Sequence, residues 1–584
     1  MYRSNHCGAL RIEDLGKQVT LSGWVQTNRD LGAMTFVDLR DRYGITQLAF
    51  STEKNADLTA QARKLGREYV IQVTGTVIER SSKNKNNPTG DIEIEVSELK
   101  VISVSETPPF TIIDDTDGSE EIRLRHRYLD IRRPVMRDRL ITRAKMVKVI
   151  REYLDNQDFI EIETPNFIKS TPEGARDFLV PSRLHPGNFY ALPQSPQILK
   201  QLLMVSGMDR YYQVVKCYRD EDFRGDRQPE FTQVDCEMSF VHQEDVLNMF
   251  EGMTKTVFQK IKGIELPDFP RITFHDAMKY YGSDKPDLRF DCKIVEIQDI
   301  LPKSEFVVFN QVIENNGIVA GVNAKGCAGY TRKQIDALTD FVKESHRGLN
   351  GLVWIRWNDE GIKSSVDKFY TPEQLETILK AFDAEKGDLI LLGAERASKV
   401  RKSLGDLRLE LAKNNGWIKE GDYSVLWVVD FPLFELDEET GETIFMHHPF
   451  CMPHETDVQY LESEPLKVRG QLYDMVINGN EIVSGSIRIH DKQLQDKIFN
   501  ILGMTEEEIE NKFGFMVNAF RYGAPPHGGC AFGLDRWVLL MTSGDTIRDV
   551  IAFPKSSNGK DMMMDAPTYV DPKQLDELGI AIKK

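Results

Sequence analysis

The stretch CYRDEDFRGDRQPEFTQVDCEM, residues 217–238, decides how the rest of the chain is read. It opens on the end of an apolar run, YYQVVKCY (211–218), crosses a charged loop and returns as FTQVDCEMSF (231–240). Two such runs flanking a polar loop predict a β-hairpin. The hairpin ends carry Arg219, Glu221, Phe231 and Asp235, which place a cation, an aromatic ring and two carboxylates near one another. On a surface loop that set would be unremarkable. Far along the chain, GGCAFGLDRWVLL (528–540) reads as a glycine-rich turn entering an apolar helix, with Asp535 and Arg536 at its start. Small residues there let a ligand approach the backbone. Neither segment is a Walker loop, and no GxGxxG follows a strand.

Working outward, residues 1–105 read as short strands: VTLSGWVQT (19–27), AMTFVDLR (33–40), GITQLAF (44–50), YVIQVTGTVIE (69–79) and DIEIEVSELKVISV (91–104). A helical stretch, KNADLTAQARKLGR (54–67), follows the third. Three strands, a helix and two strands match an OB-fold barrel, whose face and loops bind oligonucleotides. A sandwich or an SH3-like barrel fits the same strand count. ETPPFTIIDD (106–115) reads as linker, because paired prolines favour extended chain. MVKVIREYLDNQDF (146–159) has helical spacing, and FIEIETP (159–165) reads as a strand closed by Pro165. From about 287 to 418 the chain has its own strands (FVVF, 306–309; LVWIRW, 352–357) and helices (331–345; 393–413), as an inserted domain would. The expected organisation is a barrel (1–105), a linker (106–120), a catalytic domain in two parts (121–286 and 419–555), the α+β insertion (287–418) and a C-terminal extension (556–584).

Composition narrows the class. The 584 residues suit several domains, and no run approaches the ~18–20 apolar residues that span a bilayer. The N-terminus lacks the apolar core of a signal peptide, so a cytoplasmic protein without a membrane partner is expected. Seven cysteines, an odd number with no CxxC spacing, argue against a disulfide framework and against zinc. A net charge of −17 sits badly with RNA binding, which needs Lys and Arg against phosphate. Locally the balance reverses: residues 121–151 hold eleven Lys/Arg against Glu121, Asp130 and Asp138. That run is either a solvated helix face or part of an RNA surface.

Taken together, these segments resemble the class II aminoacyl-tRNA synthetases. The helix, strand and proline ending at Pro165 look like motif 1, CYRDED…RQPEFTQ like motif 2, and GLDRWVLL like motif 3, in the family's order. RYLDIRRP (127–134) is similar to a stretch shared by the aspartate, asparagine and lysine branches, which carry an N-terminal OB domain. TPEGARDFLVP (171–181), QSPQILKQLLM (194–204), MHHPF (446–450), YDMVINGNEIVSGSIRIH (473–490) and RDVIAFPK (548–555) look like the aspartate branch. GVNAKGCAGYTRKQIDALTDFVKE (321–344) and GLVWIRW (351–357) look like the insertion of its bacterial form, a GAD-like domain. The resemblance implies a catalytic domain built on an antiparallel sheet, a homodimer formed through residues 146–165, and tRNA(Asp), L-aspartate and ATP as partners.

It also implies roles. Arg219 would hold the aspartate α-carboxylate and the ATP α-phosphate, a task suited to a planar fork of donors, and Arg536 would neutralise the γ-phosphate. Phe231 would stack on adenine, with Asp220, Glu221, Gln228, Glu481 and the Gly533-Leu534-Asp535 turn completing the ATP contacts. Asp474 and Glu481 would hold Mg²⁺, which prefers oxygen ligands and phosphates. Arg488 and Lys200 would take the side-chain carboxylate, with Asp235 orienting both; Glu173, Ser195 and Gln197 would meet the ammonium, and His447 matches a further substrate position. In the barrel, Phe36, Gln47 and Glu93 match anticodon-contacting positions, with Arg29 and Leu31 beside them. Phe36 could equally be a core side chain, and Leu31 could pack under its loop. An amide-forming ligase sharing this core has no use for the barrel. A non-catalytic RNA-binding paralogue would have lost motif residues that stand here. The asparagine branch disagrees with the insertion and with the Lys200, Asp235 and Arg488 set. Either a strict tRNA(Asp) enzyme or a relaxed one also charging tRNA(Asn) remains compatible.

Overall fold

The computed structural model describes every residue except 172–173, 222–224, 345, 438–439 and 584. It divides into two compact units. One comprises residues 1–144, 223–228 and 542–570, the other 145–222, 229–541 and 571–584.

The first unit is led by a closed five-stranded barrel: β1 (Gln18–Asp30), β2 (Met34–Asp41), β3 (Gly44–Ser51), β4 (Val70–Glu79) and β5 (Ile92–Ser103), ordered β1-β2-β3-β5-β4. The helix Ala56–Arg63 stands between β3 and β4, capped by Asn55. Alternation along each strand buries Leu21, Val25, Val37, Leu39, Val73, Ile92 and Ile94 in one core. Along β2 the half-exposed Phe36 alternates with buried Val37 and Leu39, so it faces outward and is no core residue.

The basic run 121–151 is only partly a solvated surface. Asp130, fully buried, accepts from Arg127 at 2.6 Å and Arg133 at 2.7 Å, and both arginines are themselves buried. Arg127 also donates to the carbonyls of Ile551 and Ala552, and Arg132 pairs with Glu68 and lies over Trp24. These cations are fasteners within the unit, and Arg127 and Arg133 each spend Nε, Nη1 and Nη2 on it.

The second unit holds an eight-stranded sheet in the order Arg271–Thr273, Val425–Val429, Leu472–Ile477, Asn480–Ile487, His527–Gly533, Glu230–Ser239, Arg210–Tyr218, Ile160–Glu161. Every pairing is antiparallel except the two at its edges. The predicted hairpin therefore forms and sits inside this sheet. The predicted strand 159–165 pairs only over Ile160–Glu161, and the helix before it spans Pro134–Asp155, starting well ahead of its predicted position.

A separate five-stranded antiparallel sheet occupies the inserted segment, ordered Ile294–Glu296, Ile318–Ala324, Leu389–Glu395, Val353–Asn358, Gly361–Ser364. Strand Ile318–Ala324 is buried on both faces: Ala320, Val322 and Ala324 join one core and Val319 another. Helices Arg332–Lys343 and Ala397–Asn415 cover the first core, and Pro372–Ala381 the second. FVVF is not a strand as predicted. It opens the helix Val307–Glu314, whose Phe309 drops into the second core. Packing has overridden the β-preference of the valines. Among the described residues no helix is long and apolar enough to cross a membrane, and the seven cysteines are buried and form no disulfide.

Candidate active site and RNA-facing cleft

Strand Glu230–Ser239 places Asp235 and Glu237 two residues apart, so both point to one side of the sheet. Lys200, on helix Gln197–Val205, and Arg488, just past strand Asn480–Ile487, meet them there. All four are buried. Lys200 Nζ lies 3.0 Å from Asp235 and 3.2 Å from Glu237. Arg488 grips Glu237 with two donors, Nε at 2.9 Å and Nη2 at 3.1 Å. This corrects the expected arrangement. Asp235 orients Lys200 alone, and Glu237, which the sequence reading passed over, orients Arg488. The spacing D-C-E was the signal available.

Burial pushes the Asp235 carboxyl up to about 6, with Lys200 only partly pulling it back. Burial also opposes ionisation of Glu237, but Arg488 and then Lys200 outweigh it and hold that carboxyl at about 2. One Asp235 oxygen, Oδ1, has no hydrogen-bond partner among the described residues.

The remaining Arg488 donors are also engaged. Nη1 reaches His448 Nε2 at 2.8 Å and Ser486 Oγ, and Nη2 reaches the Gly529 carbonyl at 3.3 Å. A guanidinium has five N–H groups and accepts nothing, so His448 Nε2 accepts from Arg488, while His448 Nδ1 lies 3.2 Å from the Phe450 backbone N–H and 3.5 Å from Cys451 Sγ. Burial, and then Arg488, hold His448 well below the usual imidazole range. The same causes lower His447 to about 4; its Nδ1 is 3.4 Å from Ser484 Oγ.

Arg219 leaves the end of strand Arg210–Tyr218 with its guanidinium 5.1 Å from the centre of the Phe231 ring and with a buried Nε that has no hydrogen-bond partner among the described residues. Gln197 presents a second such donor, Nε2, and its backbone N–H bonds Ser195 Oγ. Asp474 and Glu481 come from the neighbouring strands Leu472–Ile477 and Asn480–Ile487. Burial, and then the charge of Glu481, push the Asp474 carboxyl well up, and its Oδ1 lacks a partner. Arg536 donates to the Glu481 carbonyl at 2.6 Å. Two expected nucleotide contacts are otherwise occupied. Asp535, at the turn after Gly533 and Leu534, accepts from the Thr232 backbone N–H at 2.7 Å, so it ties the helix to the hairpin strand. Gln228 spends both ends of its amide on the Lys555 backbone. Asp220 bridges to Arg176, and Glu221 is half-buried. Glu173 lies outside the described residues.

In the barrel, a cleft of about 760 Å³ is lined by Arg29, Phe36, Gln47, Arg80 and Glu93 among others. Gln47 is the hub. Its amide donates to Glu93 at 2.6 Å, and its oxygen accepts from Arg29 at 3.0 Å and Arg80 at 2.9 Å. Asp38 holds Arg29 with two bonds. Arg80 was missed in the sequence; the basic loop it opens, RSSKNKNN (80–87), was the signal. Leu31 is 69% exposed, so it does not pack beneath its loop.

A barrel with a polar cleft, and an antiparallel sheet floored by two cations and two carboxylates, define a nucleic-acid-binding enzyme that handles anions. The comparisons agree. Residues 119–557 match the tRNA synthetases class II (D, K and N) family, and residues 19–102 the OB-fold nucleic acid binding domain. The chain belongs to that class II family. Its relatives within it are narrower still. It is 58% identical to the aspartate–tRNA ligase of Bacteroides thetaiotaomicron, with 100% of this chain and 99% of that protein aligned. It is 52% identical to an aspartate–tRNA(Asp/Asn) ligase of Caldanaerobacter subterraneus, over 99% of this chain and 98% of that one. Among solved structures, the asparaginyl-tRNA synthetase of Pyrococcus horikoshii superposes with a TM-score of 0.60 at 19% identity, covering 95% of this chain and 99% of that one, a likeness of fold.

Proposed function

We propose that this chain activates L-aspartate with ATP, releasing pyrophosphate, and transfers the aspartyl group to the 3′-terminal adenosine of tRNA(Asp). The observation that carries this reading is the buried Lys200–Asp235–Glu237–Arg488 cluster, built for a small acid with a side-chain carboxylate. The full-length relatives named for aspartate support it.

The substrate α-carboxylate is already ionised and needs no general base. It attacks the α-phosphorus in line with the departing pyrophosphate, so the protein's task is positioning and charge stabilisation. Arg219, with its unpartnered Nε, would span the carboxylate and the α-phosphate, and Phe231 would carry the adenine. Gln197 Nε2, buried without a hydrogen-bond partner among the described residues, would meet the incoming amino acid. Asp474 and Glu481 fit a hard cation, since Asp474 Oδ1 is buried without a hydrogen-bond partner among the described residues and its neighbour carries the same charge. They would hold Mg²⁺, which supplies positive charge to phosphate oxygens when bound. Arg536 would face the γ-phosphate.

We read the enzyme as cytoplasmic and as a homodimer through residues 146–165, where Ile160 and, nearby, Phe167, Leu179 and Tyr190 lie exposed. We also read it as strict for tRNA(Asp), because the exposed Leu31 offers no polar group to a second pyrimidine. The Asp/Asn-named relative carries the alternative. Pyrophosphate exchange across all twenty amino acids tests the main reading. Exchange should need aspartate and Mg²⁺ but not tRNA; equal exchange with asparagine or lysine would overturn it. Charging tRNA(Asp) and tRNA(Asn) transcripts side by side decides strictness.

A further inference from the structure

The turn between β2 and β3, Asp41-Arg42-Tyr43-Gly44, closes one end of the barrel cleft, where Tyr43 and Gly44 join Phe36 and Gln47 in its lining. Asp41 is the buried anchor of that turn. Its carboxylate accepts from the backbone N–H groups of Cys7 (2.9 Å), Tyr43 (2.8 Å) and Gly44 (3.1 Å) and from Arg3 (3.1 Å). Gly8 packs so closely on the turn that a Cβ there would collide with the Tyr43 carbonyl. The N-terminal segment is thus pinned against the turn, and it delivers His6. The His6 and Tyr43 rings stack with centroids 3.7 Å apart, and the Arg42 guanidinium lies over Tyr43, 4.6 Å from its centroid, with one N–H on the phenol oxygen.

Three of the four cations lining the cleft are paired with carboxylates, Arg29 with Asp38, Arg40 with Glu68 and Arg137 with Asp138, while Arg80 is held inside the cleft by the neutral Gln47. Arg42, beside the cleft, is exposed and pairs with no carboxylate among the described residues. With one N–H on the Tyr43 phenol oxygen and its carbon 4.6 Å from the ring centre, the Arg42 guanidinium keeps its remaining N–H groups in a fixed direction. That geometry suits bidentate capture of a phosphate, with little further ordering to be done on binding. A base is the wrong occupant, since His6 and Arg42 cover the ring that would stack on it.

We infer that Arg42, splinted by Tyr43 and His6, binds a backbone phosphate of the single-stranded RNA that runs through the cleft, a contact separate from those that read bases. The inference rests on the RNA reading of that cleft.

The test is the binding of a tRNA(Asp) transcript by wild type, Arg42→Ala, Tyr43→Ala and Tyr43→Phe across about 50 to 200 mM salt, with folding checked by circular dichroism. Arg42→Ala should weaken binding about tenfold at the low-salt end. It should also flatten the slope of log affinity against log salt by about 0.7, the share of one single-strand phosphate. Tyr43→Ala, which frees the arginine to swing, should lose part of the same affinity, and Tyr43→Phe should keep most of it. A wild-type affinity and slope in Arg42→Ala overturns the assignment. So does weaker binding with an unchanged slope, because no phosphate is then lost. If the wild type itself fails to bind the transcript, the RNA reading of the cleft falls and the Arg42 assignment with it.

Discussion

Replacing Glu237 by glutamine keeps the shape of the site and removes one charge. An ordinary glutamate titrates near 4.5 and Glu237 is held at about 2, a gap worth roughly 3 kcal/mol of preference for the ionised form. Because its folded value is depressed, this stabilisation is fully present above about 4.5 and is lost as pH falls toward 2. At neutral pH Glu237→Gln therefore forfeits all of it. Lys200 and Arg488 are left facing each other across Asp235 alone, within the range of about 3–5 kcal/mol for a broken buried pair. Asp235 runs the other way. Its folded value is raised to about 6, so its ionised form is a cost that appears as pH rises through that window and persists above it. Asp235→Asn relieves that cost while weakening the Lys200 pair, and so should destabilise far less. Urea unfolding followed by circular dichroism at neutral pH measures both variants, and pyrophosphate exchange measures aspartate use. We expect Glu237→Gln to lose at least about a hundredfold in kcat/KM for aspartate, since Arg488 is no longer aimed. If Asp235→Asn were the more damaging of the two, or if Glu237→Gln kept a normal KM for aspartate and normal stability, this electrostatic account would be wrong.

Asp474→Asn should raise the Mg²⁺ concentration that half-saturates pyrophosphate exchange by about tenfold or more, read from a metal titration. Gly529→Ala should cost about 3 kcal/mol or more in thermal unfolding, because its Cβ would strike the Cys236 carbonyl and the Glu237 carboxylate across the strands. Arg80→Ala should weaken binding of a tRNA(Asp) transcript about tenfold, since Gln47 loses one of the two arginines that fix its amide; filter binding at fixed salt measures it.

Much of this was readable from the chain because local pattern and tertiary demand agreed. The barrel strands announced themselves by alternation, and β1 to β5 fall within a few residues of where the pattern put them. The hairpin around residues 217–238 did the same. The misreadings came where the deciding partner is distant. FVVF has strand-like residues, yet its Phe309 is claimed by a helical core. The basic run could be counted but not placed. Only the buried Asp130, three residues from Arg127 on one side and Arg133 on the other, shows that those charges face inward. Glu237 was hidden because a glutamate inside a strand gives no hint that an arginine 251 positions away will close on it. Asp535 and Gln228 also each hold a backbone group, a duty their motifs do not announce.

The full set of acceptors around Arg488 would make the binding of any carboxylate there a trade. A stray chloride or sulfate finds no idle hydrogen there; it must evict an imidazole lone pair, a serine hydroxyl or a main-chain carbonyl already in place. Only a group that is both ionised and shaped to take two hydrogens at once gains more than the residents give up. A neutral carboxamide of the same outline offers a single oxygen and brings its own N–H toward Lys200. On the proposed reading, discrimination between an acid and its amide would then rest on what the residues around Arg488 have to surrender.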